Sequence, residues 1–374
     1  MGVKGFNVIV KLGNCVRKRN FKEYRNMILP LDTSHTIYKF CIAIVNTDNF
    51  KNNSGEIVGH LFACFFKTCA MLRYGIKPTW IMDGKPPDLK NNTIVERKLQ
   101  KEKAHIKLRN AKSNDEKKKL EKRVFSLNMK RIDEIKQLLT MLGIQYIIAP
   151  EEAEAQCAAL NIAGVTDAVV TEDWDALLFG CKTMLKNFSN KSLVTEIDGE
   201  LLLKNLNMNR EQLIDLGLIL GTDYCHGIIG IKPEEAYTKF RHVNYNMENF
   251  IKLLGNENKV MGFDKYKIPT NFIKNSISAK EYFLNAPVAD PSKISVEWKQ
   301  PDFKRLEQYL IYEKGLNKPI IMKKIEELKL MYEAYINNYD KITGKNKLVT
   351  YSKILYDIEC CNYENNKKTV RSFS

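Results

Sequence analysis

The sequence lacks the features that would place a protein in a membrane, outside the cell or around a zinc framework. It contains no run of about 18 apolar residues, so we expect no transmembrane helix and no membrane partner. It shows no apolar leader with a small-residue cleavage site, which predicts an intracellular protein. None of its nine cysteines forms a C-x-x-C pair, and the apolar surroundings of Cys41 and Cys157 favour buried core thiols.

Acidic residues are scarce relative to basic ones. The chain has 44 Asp and Glu against 59 Lys and Arg, a formal net charge of +15, and a protein this basic usually meets a polyanion. Residues 90–131 contribute fifteen of the basic residues and only five of the acids, without a single proline or glycine. This segment predicts two basic helices with a break near residues 113–115. A solvated charged surface is the alternative interpretation.

Apolar runs that end in aspartate alternate with helix-period segments in the first half of the chain. This alternation predicts parallel strands with helices on the faces of the sheet. Because the carboxyl ends of parallel strands share one edge, we expect the aspartates to converge where open α/β sheets place their chemistry. The aspartates are Asp32 after the run 27–31, Asp83 after 79–82, and Asp173 shortly after 168–170.

Two acidic pairs with i, i+2 spacing lie close to this predicted edge. Glu152 and Glu154 follow Pro150, where we expect a helix to begin, and Asp173 is paired with Asp175. Each pair has a simpler explanation when taken alone, because acids favour the first turn of a helix and aspartate is a common N-cap. Together with the strand-end aspartates, the pairs favour a metal site in an otherwise basic protein.

Two further segments are suited to contact phosphate. Lys90 and Arg97 lie seven residues apart, which is two helical turns, so both side chains can point at one phosphate. The loop 225–233 carries Gly227 and Gly230 between two predicted helices, and such a loop can bring backbone N–H groups close to a phosphate. A plain connection between helices is the alternative interpretation of this loop.

Successive sequence blocks resemble those of the flap endonucleases, a branch of the XPG-type structure-specific 5′ nuclease family. The resemblance covers residues 1–320. It implies an α/β fold with a central, mostly parallel, twisted sheet flanked by helices (the PIN-like 5′ nuclease fold). It also implies a basic helical arch and a helix–two-turn–helix that binds DNA. The blocks are MGVKGF, Asp32 followed by Tyr38, IMDGKPPDLK, APEEAEAQCAAL, TEDWDALLFG and LILGTDYCHGIIGIKPEEA.

The resemblance implies an activity as well. It is that of a Mg²⁺-dependent, structure-specific 5′ flap endonuclease, which hydrolyses DNA phosphodiesters at single-strand/double-strand junctions in replication and repair. A 5′→3′ exonuclease or a junction-cutting relative is the alternative within the family, and a catalytically silent DNA-binding scaffold is the alternative outside the enzymes. The implied partner is branched DNA with a 5′ single-stranded end. The enzyme is expected to be a monomer in the nucleus, or at a viral replication site if its source is a large DNA virus.

The family's site residues fall on matching positions of this sequence. Seven carboxylates in one pocket need compensating cations, and the resemblance implies two Mg²⁺ ions, with Mn²⁺ as a substitute, and a K⁺ ion at the helix–two-turn–helix. Oxygen ligands without a nearby cysteine or histidine favour Mg²⁺ or Mn²⁺ over Zn²⁺. The implied metal ligands are Asp32, Asp83, Glu152, Glu154, Asp173, Asp175 and Asp223. The implied catalytic contacts with the scissile phosphate are Lys90 and Arg97, and the implied DNA contacts are Gly2, Tyr38, Gly227, Gly230 and Lys232. The histidines without ligand spacing, expected to be structural, are His35, His60, His105 and His242.

The sequence departs from the family's pattern in the glycine-bearing loop and in the tail. Lys232 stands where the family has a glycine and Glu234 where it has a basic residue, which predicts altered and weaker duplex binding there. The tail lacks the Gln-x-x-Leu-x-x-Phe-Phe peptide of cellular members, so we do not expect it to bind a sliding clamp.

The resemblance also implies how the chain is organised. The segments are an N-terminal nuclease region at 1–101, a basic arch at 102–131 with its base near 90, an internal nuclease region at 132–243 that includes the helix–two-turn–helix at about 212–241, a C-terminal helical part at 244–339 and a polar tail at 340–374.

Overall fold

The computed structural model describes residues 2–45, 47 and 50–337. The chain divides into two compact units, residues 1–321 and 322–374. Within the second unit the structure describes residues 322–337, which are helical. The predicted polar tail at 340–374, with its expected lack of a clamp-binding peptide, lies outside the described residues.

Seven strands in the described part of the chain form one sheet, and most of its pairings are parallel. The strands are β1 (Val16–Arg19), β2 (Ile28–Asp32), β3 (Lys77–Met82), β4 (Tyr146–Ile148), β5 (Val169–Val170), β6 (Thr183–Lys186) and β7 (Val194–Asp198). Their order is β1-β7-β6-β5-β2-β3-β4. The pairs β2–β3, β2–β5, β3–β4 and β5–β6 are parallel, whereas β7 is antiparallel to both β1 and β6. The predicted mostly parallel sheet is confirmed.

The amino-acid pattern of each strand matches its place in the sheet. All four residues from Leu29 to Asp32 in β2 are buried, which requires cover on both faces because successive side chains point to opposite faces. β1 has the sequence Val-Arg-Lys-Arg and is largely exposed at the edge of the sheet. Charged residues on an edge strand oppose pairing with a further chain.

Fifteen α-helices lie within the described residues. They are α1 (Phe6–Leu12), α2 (Thr33–Ile44), α3 (Gly59–Arg73), α4 (Asn91–Asn110), α5 (Asn114–Val124), α6 (Met129–Met141), α7 (Ala153–Ile162), α8 (Asp175–Leu178), α9 (Gly199–Leu206), α10 (Arg210–Leu220), α11 (Pro233–His242), α12 (Met247–Met261), α13 (Phe272–Asn285), α14 (Phe303–Glu307) and α15 (Lys318–Asn337). Shorter 3₁₀ turns span Phe21–Tyr24, Asp88–Lys90 and Pro291–Lys293, and a π-helix spans Gln308–Glu313. The predicted break in the basic segment precedes α5, where the Ser113 hydroxyl accepts a hydrogen bond from the Glu116 N–H at 3.2 Å.

The helix that we expected to begin at Pro150 begins at Ala153 instead. The carbonyl of Pro150 accepts a hydrogen bond from the Lys85 N–H at 3.2 Å. Pro150 is therefore bonded to the segment after β3 and not to the first turn of the helix. Asp83 Oδ1 accepts from the Ala153 N–H at 3.0 Å, so an acid from another element caps the helix. Glu152 occupies the N-cap position with extended backbone and makes no capping hydrogen bond. Its carboxylate is therefore available to the acidic edge of the sheet.

The main apolar core joins the sheet to the helices that carry the carboxylates. It includes Phe6 of α1, Cys157 of α7, Leu216 of α10 and Phe283 of α13, all almost fully buried. The seven cysteines in the described residues are buried, as predicted for core thiols. Among the described helices, none combines the length and the apolar composition needed to cross a membrane.

Candidate active site

The strand-end aspartates meet at one edge of the sheet. β5, β2 and β3 are neighbours. Asp32 ends β2, Asp83 follows β3 and Asp173 follows β5. The His35 ring joins two of them, with Nδ1 2.9 Å from Asp32 Oδ2 and Nε2 3.5 Å from Asp173 Oδ2. The structure therefore brings these acids together, as the alternation of strands and helices predicted.

The two glutamates before and within α7 enter the same cluster. Glu154 Oε1 lies 3.5 Å from His35 Nδ1. Glu152 Oε2 accepts hydrogen bonds from the Tyr224 hydroxyl at 3.2 Å and from Lys90 Nζ at 2.5 Å. The late start of α7 explains this arrangement, because the extended backbone at Glu152 turns its side chain toward the pocket rather than toward the helix N-terminus.

The Asp173–Asp175 pair lies against the start of the chain. The Asp175 N–H donates to Asp173 Oδ1 at 3.1 Å. Gly2 has a φ of 74°, and a Cβ there would lie 1.9 Å from Asp173 Oδ1 and 2.5 Å from Asp175 Oδ1, so only glycine allows this approach. Within the described chain, Asp175 Oδ1 is buried without a hydrogen-bond partner. A buried carboxylate oxygen without a donor, among other carboxylates, fits a bound cation.

Lys90 and Arg97 both reach Asp223, in the loop after α10. Arg97 Nη2 donates to the two Asp223 oxygens at 2.8 and 2.7 Å, and Lys90 Nζ lies 3.7 Å from Asp223 Oδ2. Burial opposes the charged form of Lys90, but the carboxylates of Glu152 and Glu154 outweigh it and raise its pKa. The two cations that we expected to share a phosphate thus share a carboxylate in this structure. Their contact with DNA stays a prediction.

Burial and mutual repulsion act on the deepest acids of the cluster. Burial raises the pKa of Glu154 well above its ordinary value, and the charges of Asp32 and Asp83 add to the effect. Burial and the Asp173 charge raise the pKa of Asp175 in the same way. Both carboxylates would be ionised more readily beside a bound cation. The pocket is therefore short of positive charge despite the basic residues around it.

His35, which was expected to be structural because it lacks ligand spacing in the sequence, lies among the acids of this site. It lies in the first turn of α2, where Asp32 Oδ1 accepts a hydrogen bond from the His35 N–H at 3.0 Å. Burial disfavours the charged imidazole, but Asp32 and Asp173 outweigh it and raise the pKa of His35 to about 9. The expectation that the oxygen ligands have no histidine nearby is wrong, because this ring lies between Asp32 and Asp173. The position of His35, three residues after a strand-end aspartate and so about one helical turn on, is the sequence signal that could have found it.

A cavity of about 1040 Å³ opens beside the acids and beneath α4 and α5. Tyr38 lines it, with its ring centroid 5.9 Å from that of Phe125. α4 and α5 pack through a small apolar cluster of Ala104, Ala111 and Leu120. Their charged side chains remain outside this cluster. The basic residues that line the cavity are Lys90, Arg97, Lys101, Lys103, Lys107 and Arg123.

The glycine-bearing loop between α10 and α11 begins at the acidic cluster and leads away from it. Gly227 is buried and Gly230 is exposed. Gly230 has a φ of 94°, and a Cβ there would lie 2.0 Å from the Lys265 carbonyl oxygen, so its packing alone requires glycine. Lys232 precedes α11, and its carbonyl accepts a hydrogen bond from the Ala236 N–H at 2.8 Å. A contact of this loop with phosphate stays a prediction.

Three polar residues around the acids were not predicted from the sequence. Ser34 donates to Asp83 Oδ2 at 2.5 Å, and Thr171 donates to Asp32 Oδ2 at 3.2 Å. The third is Tyr224, whose hydroxyl donates a hydrogen bond to Glu152 at the N-terminus of α7. Each lies within two residues of a predicted metal ligand, which is the signal that could have found them.

Two family models match the chain at the segments that carry the cluster. The XPG N-terminal domain matches residues 1–104 and the XPG I-region matches residues 143–223, and together these segments contain all seven carboxylates. The flap endonuclease 1 of Vanderwaltozyma polyspora is 35% identical over 337 residues, which cover 88% of this chain and 88% of the relative.

Solved structures of similar proteins share the architecture. The catalytic core of Rad2 in complex with DNA substrate is 26% identical, with a TM-score of 0.68 over 88% of this chain and 100% of that chain. The flap endonuclease-1 from Methanococcus jannaschii is 28% identical, with a TM-score of 0.65 over 87% of this chain and 99% of that chain.

Proposed function

The chain belongs to the flap endonucleases of the XPG family, and we propose that the acidic pocket at the carboxyl edge of its sheet is the place where it cuts DNA. It is a structure-specific 5′ flap nuclease that hydrolyses DNA phosphodiester bonds. The observation that carries the proposal is the convergence of carboxylates from β2, β3, α7, the segment after β5 and the loop after α10.

The pocket would hold two Mg²⁺ ions, with Mn²⁺ able to substitute. Carboxylate oxygens are the hard donors that these ions prefer, and the unpartnered Asp175 Oδ1 supports a cation beside it. Bound ions would lower the pKa of an attacking water and offset the charge on the departing 3′ oxygen. The seven carboxylates that we propose as ligands are Asp32, Asp83, Glu152, Glu154, Asp173, Asp175 and Asp223.

Lys90 and Arg97 would hold the scissile phosphate at the mouth of the pocket. Their side chains are 16% and 51% exposed, and both line the cavity beneath the basic helices. Arg97 can exchange the Asp223 carboxylate for a phosphate because its guanidinium is half exposed. Asp223, only 14% exposed, would then keep Lys90 Nζ at 3.7 Å and a bound metal ion as its partners. Tyr38, in the same cavity, would stack on the nucleotide beside the cut. Gly2 would let the backbone at the start of the chain approach the mouth of the pocket, where the scissile phosphate would lie.

The basic segment at 102–131 would act as the arch that holds the 5′ single strand. Lysines and arginines along a cavity supply a grip on phosphates that does not depend on base sequence. The duplex behind the cut would lie on the helix–two-turn–helix formed by α10, its loop and α11, through Gly227, Gly230 and Lys232, with a K⁺ ion at the loop. We also propose that the enzyme works as a monomer, in the nucleus, on branched DNA with a 5′ single-stranded end.

Product positions on defined DNA substrates test the proposal. A double flap, a nicked duplex, a gapped duplex and a four-way junction are incubated with the full chain and Mg²⁺. We expect the double flap to be cut fastest, at its junction with the duplex. Release of successive mononucleotides from the nick would identify a 5′→3′ exonuclease instead, and faster cutting of the four-way junction would identify a junction-cutting relative.

The Asp175→Ala variant tests whether the pocket is the active site. Loss of one carboxylate from a two-metal site removes several kcal/mol of transition-state stabilisation, so cleavage should fall at least about a hundredfold while flap binding persists. Asp133→Ala is the matched control, because Asp133 is an exposed acid of α6 paired with Lys136. Wild-type cleavage by Asp175→Ala would contradict the location of the site, and flap binding without cleavage by the wild-type chain would indicate a scaffold.

A further inference from the structure

One group of side chains in the described residues has the spacing of a metal site and includes a nitrogen donor. It consists of Asp32, His35 and Glu154, whose ligand atoms all lie within 4.8 Å of one another. Two members belong to the seven carboxylates proposed above. The third, His35, does not, and it stands at the centre of the acidic edge rather than beside it.

The distances around the imidazole match those between ligands of one ion. Metal–ligand bonds of about 2.1 Å place neighbouring ligand atoms of an octahedral ion about 3.0 Å apart. His35 Nδ1 lies 2.9 Å from Asp32 Oδ2 and 3.5 Å from Glu154 Oε1. An ion bound by both carboxylates would therefore lie within bonding distance of this nitrogen after small side-chain movements, provided that the imidazole releases its Nδ1 proton to solvent as the ion binds.

The fold also holds the ring in place from both sides. The hydrogen bond from the His35 N–H to Asp32 Oδ1, at 3.0 Å, fixes its backbone at the start of α2. The opposite ring nitrogen, Nε2, lies 3.5 Å from Asp173 Oδ2. Histidines that bind metals commonly donate their second ring N–H to a carboxylate, which fixes the tautomer and strengthens the metal bond. Asp173 is placed to accept such a hydrogen bond.

We propose that His35 is a ligand, through Nδ1, of a metal ion that Asp32 and Glu154 also bind. This inference rests on the proposed function, because it concerns the same cation-binding pocket. Carboxylates alone suit Mg²⁺, whereas an imidazole adds affinity for Mn²⁺ and other transition-metal ions. We therefore expect this chain to prefer Mn²⁺ over Mg²⁺ more strongly than the same pocket without the imidazole.

Pulsed electron paramagnetic resonance of the full chain with one equivalent of Mn²⁺ tests the bond directly. We expect a nitrogen hyperfine coupling that changes when the protein is prepared with ¹⁵N-labelled histidine. His35→Ala should lose the coupling, and His242→Ala, which removes an exposed histidine from α11, should keep it. Bound Mn²⁺ without a histidine coupling in the wild-type chain would overturn the proposal, whether or not His35→Ala folds. So would a coupling that persists in a folded His35→Ala.

Equilibrium competition between Mn²⁺ and Mg²⁺ provides the second readout. We expect the ratio of the Mn²⁺ affinity to the Mg²⁺ affinity to fall at least about tenfold in His35→Ala. An unchanged ratio would count against a bond between His35 and the metal ion. Cleavage of the double flap is measured on the same samples. Mg²⁺-dependent cleavage without the histidine coupling would reject His35 as a ligand and leave the proposed function standing. The histidine coupling without cleavage would support His35 as a ligand and contradict the proposed function.

Discussion

Removing the Arg97 guanidinium should strengthen Mg²⁺ binding even though it weakens cleavage. Arg97 contacts both oxygens of Asp223, at 2.8 and 2.7 Å, so a cation that needs this carboxylate must first displace the guanidinium. The Arg97 side chain is 51% exposed, and solvent limits such a pair to about 1 kcal/mol. Because 1.4 kcal/mol is a factor of about ten, Arg97→Ala should tighten Mg²⁺ binding about fivefold in the absence of DNA.

Isothermal titration with Mg²⁺ measures this change, and the neighbouring residue supplies the control. Lys98→Ala removes the same charge from an exposed position of α4, so it corrects for the general effect of a less basic surface. On the double flap, Arg97→Ala should slow single-turnover cleavage about ten- to a hundredfold, with a smaller loss of duplex affinity. A Mg²⁺ affinity no higher than that of Lys98→Ala would refute the competition between Arg97 and the ion.

Two further predictions concern the chain terminus and a buried ion pair. Gly2→Ala should slow cleavage at saturating DNA with little change in duplex affinity, because its Cβ would lie 1.9 Å from Asp173 Oδ1; equal single-turnover rates would contradict this. Burial opposes ionisation of Glu134, but hydrogen bonds from His60 and Lys314 outweigh it and lower its pKa from 4.5 to about 2. A carboxyl whose pKa is depressed on folding stabilises the protein above its unfolded pKa and loses that effect as the pH falls. Glu134→Gln should therefore lower the Tm near neutral pH by about 3 °C or more, and the difference should shrink between about pH 4.5 and 2. A difference that stays constant over thermal scans in this range would argue against the pair.

The parts of the site that lie at strand ends could be predicted from the sequence. Asp32 and Asp83 follow apolar runs, and the edge shared by parallel strands brings such residues together whatever the loops do. The sheet's antiparallel edge was less visible, because β1 is short and reads Val-Arg-Lys-Arg, a basic run without an apolar alternation. Its pairing with β7 depends on a partner more than 170 residues away in the chain.

The contacts that set the charge of the pocket could not be predicted in the same way. Arg97 and Asp223 are 126 residues apart, and no local pattern encodes their bidentate pair. The start of α7 at Ala153 depends on a cap supplied by Asp83, which follows a different strand. His35 had a local signal, its helical spacing from a strand-end aspartate. The acids that surround its ring come from other elements.

If Asp223 binds metal and Arg97 binds phosphate as proposed, the pair would also link the binding of metal ions to the binding of DNA. A metal ion that bound Asp223 would free the guanidinium for a phosphate, and a phosphate that bound Arg97 would free the carboxylate for a metal ion. Linkage requires that each ligand then raises the affinity of the other by the same factor. The share of this coupling that the pair can carry is limited by the pair's own strength, about 1 kcal/mol or about fivefold. Arg97→Ala should therefore remove that share, so the gain in Mg²⁺ affinity without DNA and the loss of coupling with DNA should be equal in size.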